Sequence, residues 1–208
     1  MNIRLNKDQK IRIYSSLDIY NVMREILMLE EENDRNKEHF WTIGLDHGQT
    51  VLNIELVTLG SATTAPVEPM EVFSIPLQKK AAKIILVHNH PSGNILPSPS
   101  DEDLTDRLLQ VGRIMNVPVV DHLIITESSY YSFADSGLLA RIAKSNKHVP
   151  QYILQQRYEK EAREKGSEQG RKEREKEIVR QMRQQGINIE TIASVTGLSV
   201  ATIKRIKD

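Results

Sequence analysis

The sequence predicts an α/β fold, a β-sheet flanked by helices, followed by a helical C-terminal tail. Strand-like and helix-like segments alternate between about residues 14 and 133. From about residue 152 the chain becomes charge-dense and has almost no apolar stripe, which is typical of a solvated helix or linker. A compact apolar segment returns at residue 178. We therefore expect a domain at 1–148, a charged helical linker at 149–177 and a small helix-turn-helix-like tail at 178–208.

The first half of the predicted domain contains three strands and two helices. Spaced apolar residues over 2–14 predict a first strand, and Ser15 or Ser16 is a suitable N-cap for a helix over 17–32. Residues 38–46 and 50–59 predict a strand pair joined by a turn at His47-Gly48. A loop of small residues from 60 to 64 then precedes a short helix near 71–78, where Pro76 predicts a break or an irregular turn.

The second half predicts a further buried strand, a helix and a hairpin. Residues 84–87 form a short apolar run that is typical of a buried strand. After Asp101, apolar residues recur at i, i+4, i+7 and i+11 and predict an amphipathic helix that ends near Pro118. Residues 119–126 and 130–133 predict two strands joined by a turn.

Composition excludes several classes of site. The chain has no cysteine, which excludes disulfides, thiolate ligands and a cysteine nucleophile, so a metal would need His, Asp or Glu. The longest apolar runs are far shorter than a membrane span, and the first residues lack the apolar core of a signal peptide, so we expect a cytoplasmic protein without a membrane partner. Net charge is zero overall, but residues 157–208 carry 13 Lys/Arg against 9 Asp/Glu, a weak indication of an anionic partner for the tail.

A functional site is predicted at the end of the buried strand, where the sequence is Val87-His88-Asn89-His90. Side chains alternate along a strand, so His88 and His90 project from one face and Asn89 from the other. A turn rich in proline and serine then leads to Asp101 at the start of a helix. Two imidazoles and a carboxylate are the ligand set of an open zinc site. Asp101 could instead be only a favourable acid in a first helical turn.

In this stretch His88-x-His90 is followed by seven residues, Ser98, two more residues and Asp101. This pattern resembles the JAMM (MPN+) metallopeptidases, and within them the RadC-like JAB-domain proteins of bacteria. The resemblance covers roughly residues 14–140 and includes segments 71–73, 121–125 and 132–133. It implies a mixed β-sheet flanked by helices, the layered, deaminase-like JAB/MPN fold. It also implies a Zn²⁺ cofactor and hydrolysis by metal-activated water.

The resemblance assigns roles residue by residue. It makes His88, His90 and Asp101 the zinc ligands, and Glu38 the catalytic glutamate that moves the proton of the water. Glu38 is assigned through the residues that follow it, so Glu55 and Glu71 stay open as alternatives. Ser98 corresponds to a serine that stabilises the oxyanion, although capping the following helix is an equally good interpretation.

The tail resembles the helix-turn-helix units of resolvases and transposases, with a turn at Gly197 and a second helix capped by Ser199. The alternative is a helical hairpin that packs on itself or on a second copy of the chain. The second helix has few basic residues, which favours the hairpin or homo-oligomer interpretation over DNA binding.

Three functions follow as hypotheses. The first is a zinc-dependent JAMM-type hydrolase that cleaves a peptide or isopeptide bond in an unidentified protein or peptide. The second is a protein associated with DNA repair or mobile elements that docks on DNA through its tail. The third is an inactive scaffold that retains the metal for stability.

Overall fold

The computed structural model describes residues 11–60 and 67–206, and the chain divides into two units, Met1–Val149 and Pro150–Asp208. The first unit contains α1 (Ser16–Met28), α2 (Glu32–Arg35), β1 (His39–Leu45), β2 (Val51–Leu59), α3 (Pro69–Gln78), β3 (Lys83–Asn89), α4 (Pro99–Ile114), β4 (Val119–Ile125), β5 (Tyr130–Ser132) and α5 (Leu138–Ile142). The second contains α6 (Gln151–Gln184), α7 (Ile189–Thr196) and α8 (Val200–Arg205).

The five strands form one mixed sheet in the order β2-β1-β3-β4-β5, so the predicted fold class is confirmed. β1 pairs antiparallel with β2 and with β3, and β4 pairs antiparallel with β5. β3 and β4 pair in parallel, and α4 provides the crossover between them. β3 is therefore a central strand.

Helices cover the sheet on both faces, which explains the continuous apolar run in β3. Ile85 and Val87 belong to a core with α1, whereas Ile84 and Leu86 belong to a second core with α3 and α4. Since residues alternate along the strand, His88 is on the α4 side of the sheet and Asn89 on the α1 side.

The predicted helix over 17–32 is shorter than expected. α1 begins after Ser15, whose side chain caps it together with Asp18, and it ends at Met28. Acidic residues at a helix C-terminus oppose the macrodipole, which disfavours extension through Glu30 and Glu31. Glu32 instead lies in the first turn of α2, where a negative charge is favourable.

The predicted break at Pro76 is wrong, because Pro76 lies inside α3. Proline removes one i→i−4 hydrogen bond, but α3 ends two residues later, so the loss is confined to its last turn. Pro76 is also buried, which helps to compensate for that loss.

Parts of the predicted N-terminal strand and of the 60–64 loop lie outside the described residues. Of the strand, residues 11–14 are described, and here Arg12 forms an isolated antiparallel bridge to Thr50. The short helix α5 was not predicted.

The charged segment is a single helix. α6 runs without interruption past Gly166 and Gly170 and through the boundary predicted between 177 and 178. Pairs at i,i+4 spacing stabilise it: Lys160–Glu164 lies before Gly166, and Arg171–Glu175 lies after Gly170.

The C-terminal helices pack on the end of α6. Val179, Ile192 and Ile203, one from each helix, form the buried centre. Gly197 adopts the left-handed conformation that ends α7, and Ser199 caps α8 by accepting from the Thr202 N–H. Throughout the described ranges, no helix combines the length and the apolar character that crossing a membrane requires.

Candidate metal centre

His88, His90 and Asp101 lie together at the end of β3 and the start of α4. The strand hydrogen-bonding pattern continues one residue beyond β3, because the His90 N–H donates to the Ile125 carbonyl at 3.0 Å. This keeps His90 on the same face as His88, and their Nε2 atoms are 3.0 Å apart. Asp101 Oδ1 is 3.4 Å from His88 Nε2, and Asp101 Oδ2 is 3.7 Å from His90 Nε2.

A capping box orients Asp101. Ser98 is the N-cap of α4, and its Oγ accepts from the Asp101 N–H at 3.2 Å. In return, the Ser98 N–H donates to Asp101 Oδ2 at 2.7 Å and the Ser98 hydroxyl donates to the same oxygen at 2.6 Å. Two hydrogen bonds therefore hold Oδ2, while Oδ1 faces His88.

The ring of His90 is oriented by the loop that follows it. Its Nδ1 is 2.6 Å from the Asn94 carbonyl oxygen, which can only accept, so Nδ1 carries a proton and donates. In the neutral ring, Nε2 then carries a lone pair that points toward His88 and Asp101. This is the tautomer that a metal ligand requires.

His88 lies in a buried cluster of rings. Its Nδ1 is 2.8 Å from His122 Nε2, and His122 Nδ1 is 2.7 Å from Thr105 Oγ1. Burial lowers the pKa of His88 to about 4, against a partly compensating effect of Asp101. Burial also lowers the pKa of His122 well below its usual value, with His88 and His90 contributing in the same direction. Both rings are therefore neutral at physiological pH.

The three predicted ligands could hold a metal ion. A tetrahedral ion with bonds of roughly 2.0–2.1 Å needs donor atoms about 3.3 Å apart, close to the separations found here. Neutral imidazole nitrogens and a carboxylate oxygen suit such an ion chemically. Among the described residues, this is the one group of three or more such side chains whose donor atoms lie within 4.8 Å of one another.

The centre forms one wall of a cavity of about 590 Å³. Glu38 and Ser98 line the same cavity, so all five predicted site residues surround one space. Apolar side chains, including Phe40, Leu59 and Leu104, form much of the remaining surface. The cavity leaves room for a substrate beside the three donor atoms.

The two alternatives to Glu38 lie elsewhere. Glu55 pairs across the sheet with Thr42, whereas the residue that pairs with His88 is Phe40. Glu71 is exposed in the first turn of α3. Of these three glutamates, Glu38 alone lines the described cavity.

Asn89 holds the backbone on both sides of Glu38. Its Oδ1 accepts from the His39 N–H at 2.6 Å, and its Nδ2 donates to the Lys37 carbonyl at 3.0 Å. Asn89 is 1% exposed, so these bonds are shielded from water. The residue between the two histidines thus ties β3 to the segment that carries Glu38.

Sequence reasoning assigned no role to Asn89, Thr105 or His122. His122 follows Asp121 in β4, whose other residues are apolar, and a buried histidine needs hydrogen-bond partners. That signal is visible in the sequence, but the partners are not, because they depend on how β4 pairs with β3.

Two families match the chain. Residues 13–138 match the family described as a RadC-like JAB domain, and residues 170–208 match the family described as a helix-turn-helix domain of resolvase.

Several curated proteins are also similar. A UPF0758 protein of Desulforudis audaxviator is 41% identical over 112 residues, which cover 54% of this chain and 49% of that protein. A UPF0758 protein of Chlorobium chlorochromatii is 34% identical over 141 residues, covering 67% and 61% respectively. One of Syntrophomonas wolfei is 39% identical over 127 residues, covering 61% and 54%. The matched region thus spans about half to three fifths of the length of these relatives.

Proposed function

Since the chain belongs to the RadC-like JAB domain family, we propose that it is a zinc-dependent hydrolase that cleaves a peptide or isopeptide bond with an activated water. One observation carries the proposal: two histidines and a carboxylate converge in the wall of an open cavity that Glu38 also lines. The substrate is an unidentified protein or peptide.

His88, His90 and Asp101 would hold the ion, and the atoms that face one another there are His88 Nε2, His90 Nε2 and the Asp101 carboxylate oxygens. When bound, Zn²⁺ would supply Lewis acidity, lowering the pKa of water toward neutrality and polarising the scissile carbonyl. Because the side chains of His90 and Asp101 are 14% and 15% exposed, a substrate reaches them from the cavity.

Glu38 is the proposed general base and acid. Its carboxylate accepts a proton as the water attacks and delivers it to the leaving amine. The attack requires no covalent acyl-enzyme, which agrees with a chain that has no cysteine.

Ser98 has two candidate roles. Its single hydroxyl proton is donated to Asp101 Oδ2, so its contacts support a role in orienting the ligand. To stabilise an oxyanion, the Ser98 hydroxyl would have to rotate and donate its hydrogen bond to the substrate instead of to Asp101. The oxyanion role stays a prediction.

Metal analysis of the purified protein after zinc loading tests the centre. We expect about one zinc per chain, lost in the double variant His88→Ala, His90→Ala. His47→Ala, which changes an exposed histidine in the β1–β2 turn, serves as the control and retains zinc. A wild-type protein that binds no zinc under zinc-replete conditions contradicts the proposal.

The catalytic role is tested with Glu38→Gln against Glu55→Gln. Both variants retain zinc, because neither glutamate is a proposed ligand. Incubation with a complex peptide library, followed by mass spectrometry of new termini, gives products with wild type and Glu55→Gln but not with Glu38→Gln. Equal product formation by all three proteins would assign the base to another residue. No products from the wild type would favour the scaffold hypothesis.

DNA docking by Pro150–Asp208 is a second candidate function, favoured by the resolvase helix-turn-helix match. Lys204 and Arg205 are exposed on α8. We expect the double variant Lys204→Ala, Arg205→Ala to weaken salt-dependent binding of a 30-base-pair duplex, measured by fluorescence anisotropy. A pair with matched charge on α6, Lys160→Ala and Arg163→Ala, is the control. Equal duplex binding by the two double variants would exclude α8 as the DNA contact.

Self-association is the alternative for the same unit. Val195 and Val200 are exposed apolar residues of the helix-turn-helix segment. Sedimentation that shows a dimer in the wild type but a monomer in Val195→Ser, together with no duplex binding, would favour the homo-oligomer interpretation over DNA docking.

A further inference from the structure

We propose that Thr105 and His122 are positioning residues that keep the proton of His88 on Nδ1, so that His88 Nε2 presents its lone pair to the metal. The part that concerns the metal rests on the proposed function. The order of the protons follows from the contacts of the chain itself.

The order begins at Thr105. Its Oγ1 is 2.5 Å from the carbonyl oxygen of Asp101, one turn earlier in α4. A carbonyl oxygen has no proton and can only accept, so the single hydroxyl proton of Thr105 is committed to this bond.

The next contact is then determined. His122 Nδ1 is 2.7 Å from Thr105 Oγ1, whose proton is already used, so Nδ1 must carry a proton and donate. In a neutral imidazole the other nitrogen is bare, and His122 Nε2 becomes an acceptor.

The contact between His122 and His88 then fixes which nitrogen of His88 carries the proton. His88 Nδ1 is 2.8 Å from His122 Nε2, so His88 donates from Nδ1 and its Nε2 is bare. The opposite order would place two lone pairs face to face between Thr105 Oγ1 and the Asp101 carbonyl oxygen. In the proposed order two lone pairs face each other between His88 Nε2 and His90 Nε2, and this is the place where a bound cation would accept both.

The surroundings protect this order from water. Thr105 and His122 are 0% exposed, and His88 is 6% exposed. The His122 ring stacks on Phe133 at 4.7 Å and meets the edge of Phe40 at 5.7 Å, which restricts its rotation. Reversing the tautomers would turn the Thr105 hydroxyl proton away from the Asp101 carbonyl and leave two buried oxygens in contact without a proton, a costly change.

The hydrogen bonds link one proposed ligand to another. The chain of bonds runs from His88 through His122 and Thr105 to the main chain of Asp101, itself a proposed ligand. Ligands from β3 and α4 are therefore coupled by protein groups. Partners of this kind that orient a ligand commonly change metal affinity by about 10–100-fold when they are removed.

The proton order is tested directly by nitrogen NMR of the full chain with ¹⁵N-labelled histidine, in the metal-free and zinc-loaded states. His122→Gln identifies the His122 signals by their loss. We expect His122 to be protonated on Nδ1 and bare on Nε2 in both states. A His122 protonated on Nε2 in either state overturns the proposal.

The effect on the metal is tested with Thr105→Val, which removes the hydroxyl at nearly constant volume, against Thr105→Ser, which retains it. We expect Thr105→Val to weaken zinc binding about 10–100-fold in a competition titration and to shift the His122 nitrogen signals. Thr105→Ser stays near wild type. Equal zinc affinity in the two variants, with unchanged His122 signals, overturns the proposal.

Failure of the proposed function gives a different result. If the wild type binds no zinc, the metal centre is refuted, whereas the metal-free spectrum still decides the proton order. If zinc binds and no peptide is cleaved, the catalytic proposal fails and the positioning role of Thr105 and His122 stands.

Discussion

At the residue scale, neighbouring protein groups orient the proposed ligands. His88, His90 and Asp101 each have a hydrogen-bonding partner that orients the donor atom. These partners come from a loop, a helix N-terminus and a neighbouring strand. The centre is preorganised because each contact is directional and the partner of His88 is fully buried.

Ser98→Ala removes the N-cap of α4 and one of the two hydrogen bonds to Asp101 Oδ2. We expect the free energy of unfolding to fall by about 1 kcal/mol and zinc affinity to fall as well, since the carboxylate is held less firmly. Chemical denaturation and a zinc competition titration measure the two effects. Ser128→Ala, which changes an exposed serine in the β4–β5 turn, is the control. A protein with unchanged stability and zinc affinity but reduced hydrolysis would instead favour the oxyanion role.

Asn89→Ala leaves the His39 N–H and the Lys37 carbonyl without their side-chain partner. We expect a loss of about 1–3 kcal/mol in the free energy of unfolding, because the contact is buried. Zinc content stays near wild type, since His88 and His90 are retained. Asn89→Asp keeps an acceptor for the His39 N–H but places a buried carboxylate oxygen against the Lys37 carbonyl oxygen, so it should be at least as destabilised as Asn89→Ala in chemical denaturation. Loss of zinc in Asn89→Ala would show that Asn89 supports the ligands rather than the Glu38 segment.

At the element scale, the two long helices use glycine for opposite reasons. Gly112 in α4 lies against the chain that enters β4, and a Cβ there would be 2.8 Å from the Val117 carbonyl oxygen. Gly166 in α6 has open space around it. The first glycine permits close packing of helix and sheet, whereas the second only weakens a solvated helix.

Gly112→Ala should lower the free energy of unfolding by about 1–3 kcal/mol, because backbone atoms must move to admit the methyl group. Gly166→Ala should stabilise α6 by up to about 1 kcal/mol. Thermal melts followed by circular dichroism compare the stability of the two variants, which each add one methyl group. If Gly112→Ala proved neutral, the close approach of α4 to β4 would be contradicted.

Elements with a strong local pattern were predicted well from the sequence, and those shaped by distant contacts were not. The amphipathic spacing of α4 and the capping serines Ser15 and Ser199 identified helix positions correctly. Pro76 misled the prediction because its ring is buried near the end of α3. The boundary predicted between 177 and 178 falls inside α6, where charge pairs continue on both sides of it.

At the scale of the whole molecule, the candidate centre lies entirely within the unit Met1–Val149. Its ligands come from β3, the residue after it and α4, and the cavity is lined by residues of the same unit. Metal binding is therefore expected to require nothing from Pro150–Asp208.

A chain shortened to residues 1–149 should fold and bind about one zinc. Zinc at about 100 times its dissociation constant should stabilise the folded state by about 2.7 kcal/mol, seen as a rise in melting temperature. The full chain carrying His88→Ala and His90→Ala should show no such rise. A shortened chain that folds but gains no stability from zinc, when the full chain does gain it, would mean that the second unit contributes to the centre.

The sequence by itself determined the α/β class and predicted the three proposed ligands. Strand periodicity places His88 and His90 on one face, and the spacing to Asp101 resembles a known pattern. Only the tertiary structure decided which glutamate lines the cavity and which residues orient the ligands. His122 reaches His88 because β4 pairs in parallel with β3, at a register where Leu86 lies opposite His122. Pairing between strands separated by a helix depends on the packing of the whole domain, so a local pattern does not predict it.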